Sequence, residues 1–203
     1  MRPEFPTPNT AAWAVTTLVI VVVTLLSLCP GCERKPRAHP LDFSASNTVS
    51  IALGDPRTEY GTGLDHIYFE NDGLTTTTNL DGVACRYLKL DSGEFGYFYF
   101  AINRTFKKAN ARNVRIDVEY LDPNRGSMVL HYDSSDSKGV ENPAYAEAKP
   151  KILLHGSKSW HTATFHVENA TFKNAQNSHS DFRLCVSPPE LFVRRVTITR
   201  EGN

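Results

Sequence analysis

From residue 46 onward, apolar residues recur with a period of two, in short runs broken by turn-forming residues. Such alternation marks β-strands with one face buried and the other open to solvent. The runs are TVSIAL (48–53), LDHIYFE (64–70), VACRYLKL (83–90), GYFYFAI (96–102), NVRIDVEYL (113–121), SMVLHYD (127–133), KILLHG (151–156), SWHTATFHV (159–167), DFRLCV (181–186) and LFVRRVTITR (191–200). Between them lie NDG, DSGEFG, DPNRG, HGSKS and SPPE, rich in the Gly, Pro, Asn and Asp that tight turns favour. FKKANARN (106–113) has room for one helical turn at most. The pattern predicts an all-β body, an antiparallel β-sandwich of the jelly-roll type with about 9–10 strands.

Parity assigns the faces. In GYFYFAI, Phe98, Phe100 and Ile102 share one side, while Tyr97 and Tyr99 share the other. The Phe side matches Val114, Ile116, Val118 and Tyr120, whose opposite side is Arg115, Asp117 and Glu119. One side of each strand is therefore core, and the tyrosine side is a candidate surface. In the last run, Leu191 and Val193 have the opposite parity to Val196 and Ile198. A bulge at Arg194–Arg195 restores the register.

The N-terminus follows another rule. Residues 5–32 carry no charge, and AAWAVTTLVIVVVTLLSL (11–28) forms an apolar helix roughly 27 Å long, near the lower limit for crossing a bilayer. CPGCERKPR follows it. Residues 1–32 read as a signal peptide or a membrane anchor. Gly31 before Cys32 suits processing and lipidation at Cys32, as in bacterial lipoproteins, although Cys29 stands where such signals usually have Leu. A retained anchor and an ordinary cleaved signal are the alternatives; Arg34, Lys35 and Arg37 after the segment disfavour easy export. Residues 33–45 read as a Pro-containing tether to a domain at 46–203. Each alternative predicts a domain outside the cytoplasm, in the cell envelope and membrane-attached or exported.

Charge narrows the partners. The chain has 22 basic and 22 acidic residues. A neutral domain lacks the basic face that displaces counterions from nucleic acid, so no nucleic-acid partner is expected.

The runs YFYF (97–100), VEYLD (118–122), YDS (132–134), the Trp160, Thr162, Thr164, Phe165 series, DFRL (181–184) and VRRVT (193–197) together resemble a galactose-binding-like jelly-roll domain. Such carbohydrate-binding modules are appended to secreted bacterial polysaccharide-degrading enzymes. The resemblance runs from about Leu64 to Arg200 and rests mostly on framework positions. It implies noncatalytic binding of a polysaccharide or glycan. Sugar binders of this kind often carry a structural calcium ion, which the resemblance admits here with no ligands assigned.

Sugar rings stack their C–H faces on aromatic rings and need flanking polar groups for their hydroxyls. Tyr97 and Tyr99 are candidates by parity. Tyr145, with Glu141 and Asn142, lies in the long loop 134–150, where binding residues concentrate. Tyr60 and Trp160 are further candidates, and Trp160 reads equally as an edge cover. Asp133, Asp136, Asp117, Glu119 and Asp122 read as turn or sheet-face carboxylates. A hydrolytic pair would need a separation of about 5–9 Å, which a sequence does not supply. No His pair has zinc spacing, and no nucleophile elbow, phosphate loop or dinucleotide fingerprint occurs. Export permits a disulfide between Cys85 and Cys185; the alternative is two separate small hydrophobes. An envelope protein-interaction domain is the second functional reading, and a jelly-roll glycosidase or lyase built on Arg115, Asp117 and Glu119 the third.

Overall fold

The computed structural model describes residues 41–109, 112–134 and 142–202. The apolar segment 11–28, Cys32, Asp136 and Glu141 fall outside them. Twelve strands form among the described residues, in two antiparallel sheets. The first sheet holds β1 (Thr48–Ala52), β3 (Thr75–Leu80), β4 (Val83–Lys89), β6 (Val114–Leu121), β10 (Trp160–Val167) and β12 (Glu190–Arg200). Its order is β10-β6-β12-β4-β3, and β1 also pairs with β12. The second sheet holds β2 (Leu64–Ile67), β5 (Gly96–Ile102), β7 (Arg125–Tyr132), β8 (Ala146–Glu147), β9 (Ile152–His155) and β11 (Phe182–Ser187). Its order is β2-β5-β11-β7-β8, with β9 also pairing with β7.

The core contains the residues that alternation assigned to it, joined by others. Phe98, Phe100, Met128, Leu130, Phe182 and Leu184 come from the second sheet, and Ile116, Val118, Phe165, Leu191, Val196 and Ile198 from the first. The rings of Phe100 and Phe182 stack with centroids 5.0 Å apart. Burial of these side chains is the main stabilising term of the fold. The register of β12 against β6 shifts between Val193 and Arg195. The bulge lets Val193 and Val196 both face inward, as the parity break predicts.

All ten predicted runs contain a strand; β3 and β8 are additional. One short helix, α1 (Arg104–Lys108), follows β5 and is capped by Asn103, whose side chain accepts from Thr105 N at 2.8 Å. Residues 42–44, expected as the end of the tether, dock on this helix. Phe43 N donates to Thr105 Oγ1 at 2.7 Å, and Arg200 donates to Ser44 O at 3.0 Å and to Phe106 O at 2.8 Å.

The proposed disulfide is absent: Cys85 and Cys185 are both free. Cys85 is on β4 of the first sheet and Cys185 on β11 of the second, and neither belongs to the core between them. Each points to the outer side of its own sheet, so the whole sandwich separates the two thiols. A disulfide requires Cα atoms within about 7 Å.

Candidate functional site

The outer side of the second sheet is an array fixed by strand register. Tyr97 of β5, Cys185 of β11 and Val129 of β7 form one row across the strands. Tyr99, Arg183, His131 and Glu147 form the next. In the row on the other side, Ser187, Ser127 and Leu153 are neighbours. Small side chains occupy the middle and large ones the margins. The result is a trough of about 360 Å³, lined by Phe95 and Tyr97 on one wall and Glu147 and Lys151 on the other. Ser127, Val129, Cys185 and Ser187 are its floor, and His131 closes one end. Its volume lies within the range of small-molecule sites.

Behind that end, the Arg183 guanidinium lies between two aromatic rings, 4.1 Å from the Tyr97 centroid and 4.2 Å from that of Tyr145. Cation–π attraction on both sides holds all three groups in place. Arg183 Nε donates to His131 Nδ1 at 3.2 Å. An arginine only donates, so His131 Nδ1 accepts and its proton sits on Nε2, facing Glu147 Oε1 at 3.7 Å. Burial, and then the Arg183 charge, push the His131 pKa down, while Glu147 pushes it up. Burial, and then the Cys185 thiol, push the Tyr97 hydroxyl up to about 12. The trough is therefore lined by a neutral phenol and a neutral imidazole.

The tyrosines expected to bind ligand divide. Tyr97 is half-buried and lines the trough. Tyr99 points to the same side of the sheet but has 0% exposure. The turn after β2 covers it, with the Phe69 ring 5.5 Å away and an isolated pairing of Phe69 with Gly73. A Cβ at Gly73 would sit 2.8 Å from the Tyr99 ring, so only glycine lets the turn approach this closely. Tyr99 is thus a plug beside the trough and touches no ligand there. Its hydroxyl donates to Asp72 at 2.9 Å and accepts from Asn177 Nδ2 at 3.3 Å, while Tyr145 OH donates to Asn177 Oδ1 at 3.1 Å. This chain of hydrogen bonds aligns Tyr145 over Arg183. Asn142 caps the turn Pro143–Tyr145, accepting from Ala144 N at 3.1 Å, and so positions Tyr145 rather than facing the trough.

The other candidates lie elsewhere. Tyr60 is exposed, and Trp160, on the opposite sheet, packs against Arg194 at 4.7 Å. Asp117 is held by Arg115 at 3.0 Å and Thr164 at 2.7 Å, and Glu119 by Arg194 at 2.6 Å. Asp122 is buried and accepts from His155 N, Gly156 N and the Ser157 hydroxyl, which folds the 155–157 turn. Asp133 accepts from Lys173 N at 2.8 Å. Among the described residues no three His, Cys, Asp or Glu side chains converge as metal ligands. A larger hollow of about 640 Å³ lies on the outer side of the first sheet, lined by Glu119, Arg194 and Arg195. Its two arginines pair with Glu119 and its lining has no aromatic side chain, so it offers a sugar ring nothing to stack on.

The residues missed from the sequence include Phe95, His131, Glu147, Lys151 and Arg183. Arg183 was legible: it alternates with Phe182 and Leu184, which places it on the tyrosine side. His131 and Glu147 carried no signal beyond their residue type.

No protein-family model and no curated protein matches the sequence. Among solved structures, the chain is similar to a family 29 carbohydrate-binding module from Piromyces equi, at 11% identity and TM-score 0.48, over 75% of this chain and 89% of that one. It is also similar to the C-terminal family 6 module of a marine laminarinase from Zobellia galactanivorans, at 13% identity and TM-score 0.42, over 75% and 99% of the two chains. A cleaved adhesin domain of Lys-gingipain from Porphyromonas gingivalis matches at 11% identity and TM-score 0.43, over 76% and 99%. At such scores these likenesses carry no weight on what the chain binds.

Proposed function

We propose that this chain is an exported, noncatalytic carbohydrate-binding protein of jelly-roll type, held in the cell envelope by its N-terminal segment through a lipid on Cys32 or a retained helix. The observation that carries the reading is the trough, which combines the two surfaces a sugar needs. Phe95 and Tyr97 give an apolar wall for C–H faces, with Phe95 42% exposed. Ser127, Ser187, His131, Glu147 and Lys151 give donors and acceptors for hydroxyls on the floor and far wall. The small floor residues leave room for a ring to lie against Tyr97. Nucleic acid has no part in this reading, since the chain is neutral.

The test is a glycan array probed with the full chain in detergent, with and without calcium, beside Tyr97→Ala and Tyr145→Ala. Binding that both variants weaken supports the reading, because Tyr97 lines the trough and Tyr145 clamps its end. Binding untouched by either variant places the sugar elsewhere, and a blank array removes the reading. A protein-interaction face is the second reading, favoured by Leu153, which is 63% exposed on β9 beside the trough. A glycosidase is disfavoured, because Asp117 and Glu119 are engaged in ion pairs.

A further inference from the structure

Arg183 is a half-buried cation with no carboxylate partner among the described residues. Arg57, Arg86, Arg115, Arg194 and Arg195 each meet an Asp or Glu oxygen within 4.0 Å. Among the described residues, no carboxylate comes that close to Arg183. Its Nε bond goes to His131, which burial and Arg183 itself keep neutral, so the hydrogen bond supplies no counter-charge. Two tyrosine rings attract the guanidinium, and they fix it in place without cancelling its charge. A second cation, Lys151, lines the facing wall, and one anion, Glu147, stands beside it. These charges converge on the trough floor. Burial pushes the Cys185 thiol up first, and of the charges acting on it Arg183 and Lys151 pull it down while Glu147 pushes it up. Among the described residues the floor thus faces two cations and one anion, with one positive charge uncompensated. A cation withdrawn from water without a partner is costly, and an anionic ligand removes that cost.

We propose that the trough selects an acidic glycan, a polyuronate whose ring packs on Tyr97 and whose carboxylate is drawn by Lys151 on the far wall and by Arg183 behind the His131 end. The inference rests on the carbohydrate reading above. A carboxylate answers these two positive charges, and an uncharged hydroxymethyl group at the same ring position does not.

The experiment is affinity electrophoresis of the full chain in detergent through gels holding polygalacturonate or alginate, beside the same polymers with carboxylates reduced to alcohols. The expected result is retardation by at least one polyuronate and about tenfold or weaker affinity for its reduced form, the loss of one charge-assisted contact. Lys151 is exposed, so Lys151→Glu keeps the fold and abolishes retardation; Arg104→Glu, on the exposed start of α1, leaves it intact. Equal affinity for the reduced polymer overturns the acidic preference and leaves the carbohydrate reading standing. Equal binding to dextran sulfate, or equal loss in Arg104→Glu, overturns it as unselective charge attraction. No binding to these polymers or to any neutral glycan overturns both.

Discussion

Tyr97 and Tyr99 stand two residues apart on β5 and point to the same side of the sheet, yet only one can meet a ligand. Parity places both outside the core, which is correct. What parity cannot see is the turn 68–73, which folds back over Tyr99 because Gly73 has no side chain to hold it off. Long-range cover of this kind leaves no periodic trace, and that is why one tyrosine was misassigned. The two positions should therefore separate by experiment. Tyr97→Ala is expected to abolish glycan binding with unfolding midpoints shifted little. Tyr99→Ala should lose about 3–5 kcal/mol of stability, and Tyr99→Phe about 1 kcal/mol for the bond to Asp72. Urea titrations of the three variants measure this, and equal destabilisation at the two positions would refute the division. His66 gives a second residue-scale expectation. It is buried edge-on against Phe98 and Phe100, and burial, helped by the Arg86 charge, lowers its pKa from 6.5 to about 3. Between those values the unfolded chain binds a proton that the native state does not, so stability falls as pH drops from 6.5 toward about 3. At pH 5 the loss is about 2 kcal/mol. The difference in unfolding free energy between pH 7.5 and pH 5 should be smaller by that amount in His66→Leu, and an unchanged difference would clear His66.

At the scale of elements, alternation found ten of the twelve strands among the described residues and missed β3 and β8. β3 is TTTTNL, an edge strand paired only with β4, and just Thr75 on it is buried. With no apolar side to bury, it has no period to read. β8 has two residues and follows a turn set by Asn142, below the length at which a pattern exists. The helix, of five residues, is also short, and its stability is tertiary. Lys107 of α1 reaches Asp181, just before β11, at 2.9 Å, and Asp181 has 0% exposure. The same carboxylate accepts from Ile102 N at 2.8 Å and Asn174 N at 3.0 Å, so one side chain ties the helix, the end of β5 and the 174–181 loop together. Lys107→Met leaves that carboxylate buried without its cation and should destabilise by about 3–5 kcal/mol. Adding Asp181→Asn removes the stranded charge and should recover part of the loss. Thermal unfolding of the two single variants and the double measures the coupling, and additive losses would show that the pair contributes no interaction of its own.

At the scale of the molecule, the sandwich keeps its two outer sides chemically distinct. The first sheet presents Thr, Arg and carboxylate side chains that pair among themselves beside the stacked rings of Tyr87 and Phe192, and the second presents the trough. The trough lies at the Gly96 end of β5, while α1, Phe43 and Arg200 gather at the Ile102 end, roughly 20 Å away along a strand of this length. The first described residues therefore leave the trough unobstructed. The cysteines test this two-sided arrangement directly. Paired sheets stand about 10 Å apart, and Cys85 and Cys185 each face away from that gap, so an intramolecular bridge would require the sandwich to come apart. Burial also raises both thiols, which slows their oxidation and alkylation in the native state. Protein recovered from an oxidising compartment and alkylated only after denaturation, with no reductant, should yield both cysteines as modified peptides. Alkylation of the native protein should be slow at both. A peptide linking Cys85 to Cys185 would mean that β4 and β11 share a side of the fold. The sheet assignment, and with it the trough that depends on the position of Cys185 between Tyr97 and Val129, would then be wrong.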